Sequence, residues 1–148
     1  MSHTRFAITT LMTLACSLLG SCASPPSPYP DLFVGESKLV PIEVCKPQGQ
    51  RAYLARLVCR SGQAPAFNRA GNVGPREDFR AGMTDEQKMA AGNKMIRFEP
   101  LRPDELHFHI VDKFELTCGD SRTFLYLDMY HCEASPPTVA PRGYLLKD

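Results

Sequence analysis

The chain has 148 residues with 17 Lys and Arg against 16 Asp and Glu. The only charge before Cys22 is Arg5, so the remainder balances at a formal net charge of zero. Length allows one domain of about 115 residues once an N-terminal export segment is set aside, and the missing basic excess excludes nucleic acid as a partner.

The first element is an uncharged apolar segment, Phe6 to Gly20, behind a short start carrying one positive charge. Fifteen residues are too few to span a bilayer, which takes about 20, and match a cleaved secretory signal. The segment ends on Leu19-Gly20-Ser21-Cys22, which resembles the lipobox of bacterial lipoproteins. That resemblance covers residues 1–22 only. It implies a signal peptide over 1–21, cleavage after Ser21, a diacylglyceryl group on the Cys22 thiol and acylation of the new amino group. Cys22 is then a lipidation site and the mature N-terminus. Two or three acyl chains anchor a protein stably where one does not. Ala23 in place of Asp after the cysteine resembles lipoproteins sorted to the outer membrane, facing the periplasm.

Residues 22–32 are rich in Pro and Ser and are expected to form an extended, solvated tether. The expected domain covers 33–148. Export places Cys45, Cys59, Cys118 and Cys132 in an oxidising compartment, so they are expected as two disulfides.

Next in the chain, Ser37–Cys45 and Ala52–Cys59 flank Lys46-Pro47-Gln48-Gly49-Gln50, and the turn-rich interruption predicts a β-hairpin. Residues 62–80, rich in Gly, Pro and Asn, read as a long loop in which Arg76 is a candidate for binding an anion. Thr84 and Gln87 form a capping-box pattern that predicts a short helix over 85–93, and 96–98 could add a strand.

From Leu106 to Cys118, Phe108, Ile110, Phe114 and Leu116 alternate with polar residues, the period of a half-buried strand. Gly119-Asp120-Ser121-Arg122 predicts a turn and Thr123–Cys132 the returning strand. Pairing Cys118 with Thr123 sets Leu116 opposite Leu125, Phe114 opposite Leu127, Asp112 opposite Met129 and Lys113 opposite Asp128. Cys118 then lies roughly 30 Å of strand from Cys132, too far for a bond. The same reasoning separates Cys45 from Cys59. Two connectivities remain, 45–132 with 59–118, which we favour, or 45–118 with 59–132. The resulting fold class is α+β, a small antiparallel sheet of two hairpins with one short helix and a long loop, stapled by two disulfides.

No motif in the domain names a reaction. The alternation places His107 and His109 outward and His131 toward the core, so the three imidazoles are not expected to meet on a metal ion. Asp112 falls on the apolar face and requires a partner, for which Arg76, Arg80, Arg97 and Arg102 are candidates. Tyr126, Asp128 and Tyr130 share the outward face of the last strand, either as a contact strip or beneath the loop and helix as a second small core. These features favour a non-enzymatic, lipid-anchored binding module meeting an envelope protein or cell-wall component, with no cofactor. The alternatives are a small periplasmic hydrolase using Asp112 or His131, and a carrier of a metal or small ligand.

Overall fold

A computed structural model of the protein describes residues 29–147. The expected lipidation site at Cys22, the signal peptide and most of the tether lie outside these residues.

The described chain is α+β. A four-stranded sheet has the order β1-β5-β4-β3, with β1 Ile42–Glu43, β3 Ala66–Pro75, β4 Ile110–Cys118 and β5 Ser121–Asp128. A separate two-stranded ribbon pairs β2 Leu57–Cys59 with β6 Tyr144–Leu146. β4 runs antiparallel to both β3 and β5, whereas β1 runs parallel to β5.

The expected first hairpin is replaced by a helix, α1 Lys46–Arg56. Gln50, Tyr53, Leu54 and Leu57 are all buried and stand at the i, i+3, i+4, i+7 spacing of one helical face. Pro47 sits in the first turn, where its missing N–H costs nothing. A Cβ at Gly49 would meet the Val44 Cβ at 3.4 Å, an ordinary packing distance. The residues that resemble a turn are therefore the start of a helix packed against the residue that follows β1.

α1 covers one face of the sheet. Tyr53, Leu54 and Leu57 meet Ile42, Val44, Phe114, Leu116, Leu125 and Leu127 in one cluster of buried side chains. At about 25 cal/mol per Å2 of apolar surface removed from water, each of these contributes on the order of 1.5–3 kcal/mol before entropy is counted. Tyr53 also donates its hydroxyl to the Val139 carbonyl at 2.8 Å.

The hairpin of β4 and β5 is present, with its register moved by two residues. Cys118 pairs with Ser121, Leu116 with Thr123, Phe114 with Leu125, Asp112 with Leu127 and Lys113 with Tyr126. The turn uses only Gly119 and Asp120, with Gly119 at φ +60, the positive φ that the first position of a type II′ turn requires. A shift of two leaves every side chain on its expected face. It removes the expected Lys113–Asp128 pair, and Lys113 places its ammonium 3.7 Å from the Phe124 ring centroid instead.

Two further expectations are corrected. The residues read as a long loop contain β3, which the outer edge position leaves mostly exposed and so without an alternating pattern. Its pairing with β4 shifts register between Arg69 and Gly71 and again between Asn72 and Pro75. Residues 96–98 do not form a strand: α2 spans Asp85–Arg97 and ends at Phe98 in the left-handed conformation. Its start follows the capping box, the Gln87 N–H donating to Thr84 Oγ1 at 3.2 Å and the Thr84 N–H to Gln87 Oε1 at 2.9 Å.

The disulfides are Cys45–Cys132 and Cys59–Cys118, spanning 87 and 59 residues. The first ties the chain after β1 to the chain after β5. The second ties the β2–β6 ribbon to the far end of β4.

Candidate functional site

The site forms where β1, β4 and β5 come together beyond their regular pairing. Parallel pairing of β1 with β5 sets Glu43 beside Asp128. Downstream of β5 the chain is laced to the start of α1: the Val44 N–H donates to the Asp128 carbonyl at 2.8 Å, the His131 N–H to the Val44 carbonyl at 3.1 Å, and Cys45 bridges Tyr130. Ahead of β4, the Arg76 N–H donates to the His109 carbonyl at 2.8 Å and the Glu77 N–H to the His107 carbonyl at 3.0 Å. Segment 107–109 is thus fixed by backbone bonds to residues 76–77, and segment 128–131 by bonds to residues 44–46.

Their side chains converge. His109 Nδ1 lies 3.1 Å from Asp128 Oδ2, His131 Nε2 lies 3.0 Å from the same oxygen, and the two nitrogens are 3.3 Å apart. Relative exposures of 2% for His109, 0% for Asp128 and 6% for His131 place the cluster inside the protein. The other Asp128 oxygen, Oδ1, accepts the Tyr130 N–H at 3.1 Å, which aims Oδ2 at the imidazoles. This corrects the expectation that the histidines diverge. β5 ends at Asp128 and His131 lies beyond it, after the isolated bridge at Tyr130, so strand alternation no longer sets its direction.

A polar rim surrounds the cluster. Glu43 Oε1 stands 3.8 Å from His131 Nε2 and is itself held by Arg76 at 2.6 Å. Glu133 Oε1 lies 3.4 Å from His131 Nδ1. The His107 ring centroid is 6.4 Å from both other imidazoles. His109 Nε2 and His107 Nδ1 are buried without a hydrogen-bond partner among the described residues. Tyr130 covers His109 at 5.3 Å between centroids and is covered in turn by Phe98 at 5.4 Å.

Proton affinities follow from these contacts. Burial alone would raise the Asp128 pKa, but hydrogen bonds from His109 and His131 reverse this and hold its carboxyl far below the usual carboxylate range. Burial would lower His131, yet the bond to Asp128 and the charges of Asp128, Glu43 and Glu133 push it up. Burial and the Arg76 charge push His107 down. Burial, then the charges of Asp112 and Asp128, raise the Tyr130 hydroxyl.

The other candidate residues divide between this cluster and other contacts. Asp128 is fully buried and Tyr130 half-buried beneath Phe98, so these two belong to a covered second cluster and not to an open contact strip. Tyr126 is half-buried. Arg76 is occupied by Glu43 and by the Leu39 carbonyl at 3.3 Å. Asp112 finds a partner outside the expected four arginines: Arg69 donates to Oδ1 at 2.7 Å and Gln50 to Oδ2 at 2.9 Å. Both oxygens are engaged, which makes Asp112 a structural ion pair. A cleft of about 400 Å3 between α2 and residues 101–106 shares no residue with the cluster. Its Lys94 and Arg102 are paired with Glu105 at 2.7 and 3.0 Å.

Two imidazoles and a carboxylate at these separations can do two things. They can hold a proton between a carboxylate and an imidazole, or they can present three donor atoms to one cation. The spacing His109…Asp128-x-x-His131 was the available sequence signal, hidden by reading all three residues as strand. No protein-family model matches this chain, and neither the curated proteins nor the solved structures contain a match.

Proposed function

We propose that this protein is a lipid-anchored lipoprotein of the bacterial envelope, outer-membrane-bound and facing the periplasm, whose stapled domain is a non-enzymatic binding module. The observation that carries the reading is the pair of disulfides, Cys45–Cys132 and Cys59–Cys118. Such bonds form and persist in an oxidising compartment, which is where a signal ending in Leu19-Gly20-Ser21-Cys22 would deliver the chain. Acyl chains on Cys22 supply the anchor, and the Pro-rich stretch holds the domain away from the bilayer. Among the described residues no helix is long and apolar enough to cross a membrane.

The alternative of a hydrolase built on Asp112 loses support because Gln50 and Arg69 occupy both of its oxygens. His131 retains a buried carboxylate partner in Asp128, which serves ligand binding as readily as proton transfer.

The test is fractionation of cells together with mass analysis of the N-terminal peptide. Cys22 bearing a diacylglyceryl group, with the protein in the outer-membrane fraction and a Cys22→Ala variant released from it, is the expected result. An unmodified Cys22 in a soluble protein would remove the reading. Crosslinking in intact cells, with the same variant as control, then identifies the envelope partner.

A further inference from the structure

We propose that His109 Nδ1, Asp128 Oδ2 and His131 Nε2 bind one divalent transition-metal ion of the zinc class, with Glu43 closing the fourth position. The inference deepens the binding-module reading by naming a ligand. It rests on that reading only for what the ion is used for, since coordination itself does not depend on Cys22.

Four donors around an ion at about 2.0–2.1 Å in tetrahedral geometry lie about 3.3–3.4 Å apart. The three donor atoms here are separated by 3.0, 3.1 and 3.3 Å, a triangle that an ion could cap with only a slight opening of its edges. In the metal-free protein the two imidazoles can both donate to Asp128 Oδ2, whose two lone pairs accept them, and the same triangle is then open to an ion that displaces those protons.

Donor chemistry narrows the ion. Two imidazole nitrogens with one or two carboxylates suit ions of the zinc class, with iron(II) and copper(II) also accepting such a set. Calcium and magnesium require sets made of oxygen. Neutral imidazoles with the Asp128 and Glu43 carboxylates would balance a charge of +2 inside the protein, where an unbalanced ion is costly.

Metal-binding side chains are oriented by bonds from their far atoms. Two of the three donors have them: Asp128 Oδ1 is held by the Tyr130 N–H, and His131 Nδ1 faces Glu133 at 3.4 Å; His109 Nε2 has no such partner among the described residues. Glu43 stands 3.8 Å from His131 Nε2 with its side chain 39% exposed, and to reach the ion its Oε1 would turn away from Arg76, now 2.6 Å off, a movement that would open an entry path. His107 stands outside the donor set, its ring centroid 6.4 Å from both others.

The experiment uses the purified, oxidised lipoprotein in detergent, stripped with EDTA and titrated with zinc or with cobalt(II) as a spectroscopic probe. Expected are one ion per chain, a cobalt spectrum of tetrahedral type, and zinc-induced shifts of the imidazole nitrogens at His109 Nδ1 and His131 Nε2 in 15N NMR. His109→Ala and His131→Ala should weaken binding by more than about 100-fold, Glu133→Gln by about 10-fold, and His107→Ala little. The nitrogen shifts need no substitution, so they decide the matter even if an alanine variant fails to fold. Zinc that does not bind the folded wild type at micromolar concentration, or binds without shifting these two nitrogens, would overturn the proposal. Zinc bound by a protein that carries no lipid would leave this inference standing and remove the anchoring. A lipidated protein indifferent to zinc would do the reverse.

Discussion

His109 and His131, which belong to segments preceding β4 and following β5, point Nδ1 and Nε2 at a single oxygen of Asp128 from 3.1 and 3.0 Å. Three buried titratable groups meeting at one atom make the protein's stability respond to protons.

The direction of that response follows from the two shifts. His131 is raised in the folded state, so its contribution is complete below the ordinary imidazole pKa of about 6.5 and disappears as pH rises through its folded value. Asp128 is depressed, so its contribution is complete above about 4 and disappears as pH falls toward its folded value. The Asp128–His131 contact is therefore expected to contribute most between about pH 4.5 and 6.5 in metal-free protein and less as pH rises above that, while His107, pushed down in the folded state, costs stability as pH falls below about 6.5. Denaturant titrations across this range check it. An alkaline decline of equal size in Asp128→Asn would show that the pair is not its source.

Asp112 offers a test of a different pair. Arg69→Ala should destabilise by about 1–3 kcal/mol, because it leaves a buried carboxylate with only Gln50 while the half-exposed arginine loses little. In an Asp112→Leu background the same change should cost close to nothing. Additive effects in this double-mutant cycle would contradict the pairing.

Gly35 is expected to be intolerant of a side chain. It holds φ +87, and a Cβ there would lie 2.5 Å from Leu125 Cδ1 and 3.1 Å from Ile42 Cγ1. Its backbone cannot relax easily, since its N–H donates to the Val40 carbonyl and its carbonyl accepts the Tyr126 N–H. Gly35→Ala should cost about 2–4 kcal/mol, read from the thermal midpoint. A neutral result would mean that residues 35–40 lie differently in solution.

Replacing Cys45 and Cys132 together by Ser should cost about 2–5 kcal/mol. Because Cys132 adjoins His131, the same double variant should also broaden the nitrogen resonances of His131 while leaving the β2–β6 ribbon protected from amide exchange. Equal loss of protection throughout would assign this disulfide a role in the fold as a whole.

How much of this was legible in the sequence depended on whether a local rule governed the residues concerned. The start of α2 was readable because Thr84 and Gln87 satisfy each other within four residues. Both faces of β4 and β5 were readable from alternation, while their register was not, because Gly119 and Asp120 alone make the turn. α1 was misread although its buried residues stand at helical spacing, because Pro47 and Gly49 carry the same turn propensity in either context. The favoured disulfide pairing matches the structure, yet the separation of Cys45 from Cys59 comes from an intervening helix and not from a hairpin. The imidazole cluster was hidden because His109 and His131 lie just outside the strands, where alternation ceases to predict direction.

The two register shifts in β3 have a consequence for crowding. An outer strand of ten residues presents unpaired backbone groups on which a second chain could build. Here Gly71 at φ +124 and Gly74 at φ +84 bend the strand, and Pro75 removes a donor at its end. Regular pairing is unbroken only from Ala66 to Arg69, so a neighbouring copy would find just four residues of straight edge, too short a template for sheet-to-sheet aggregation.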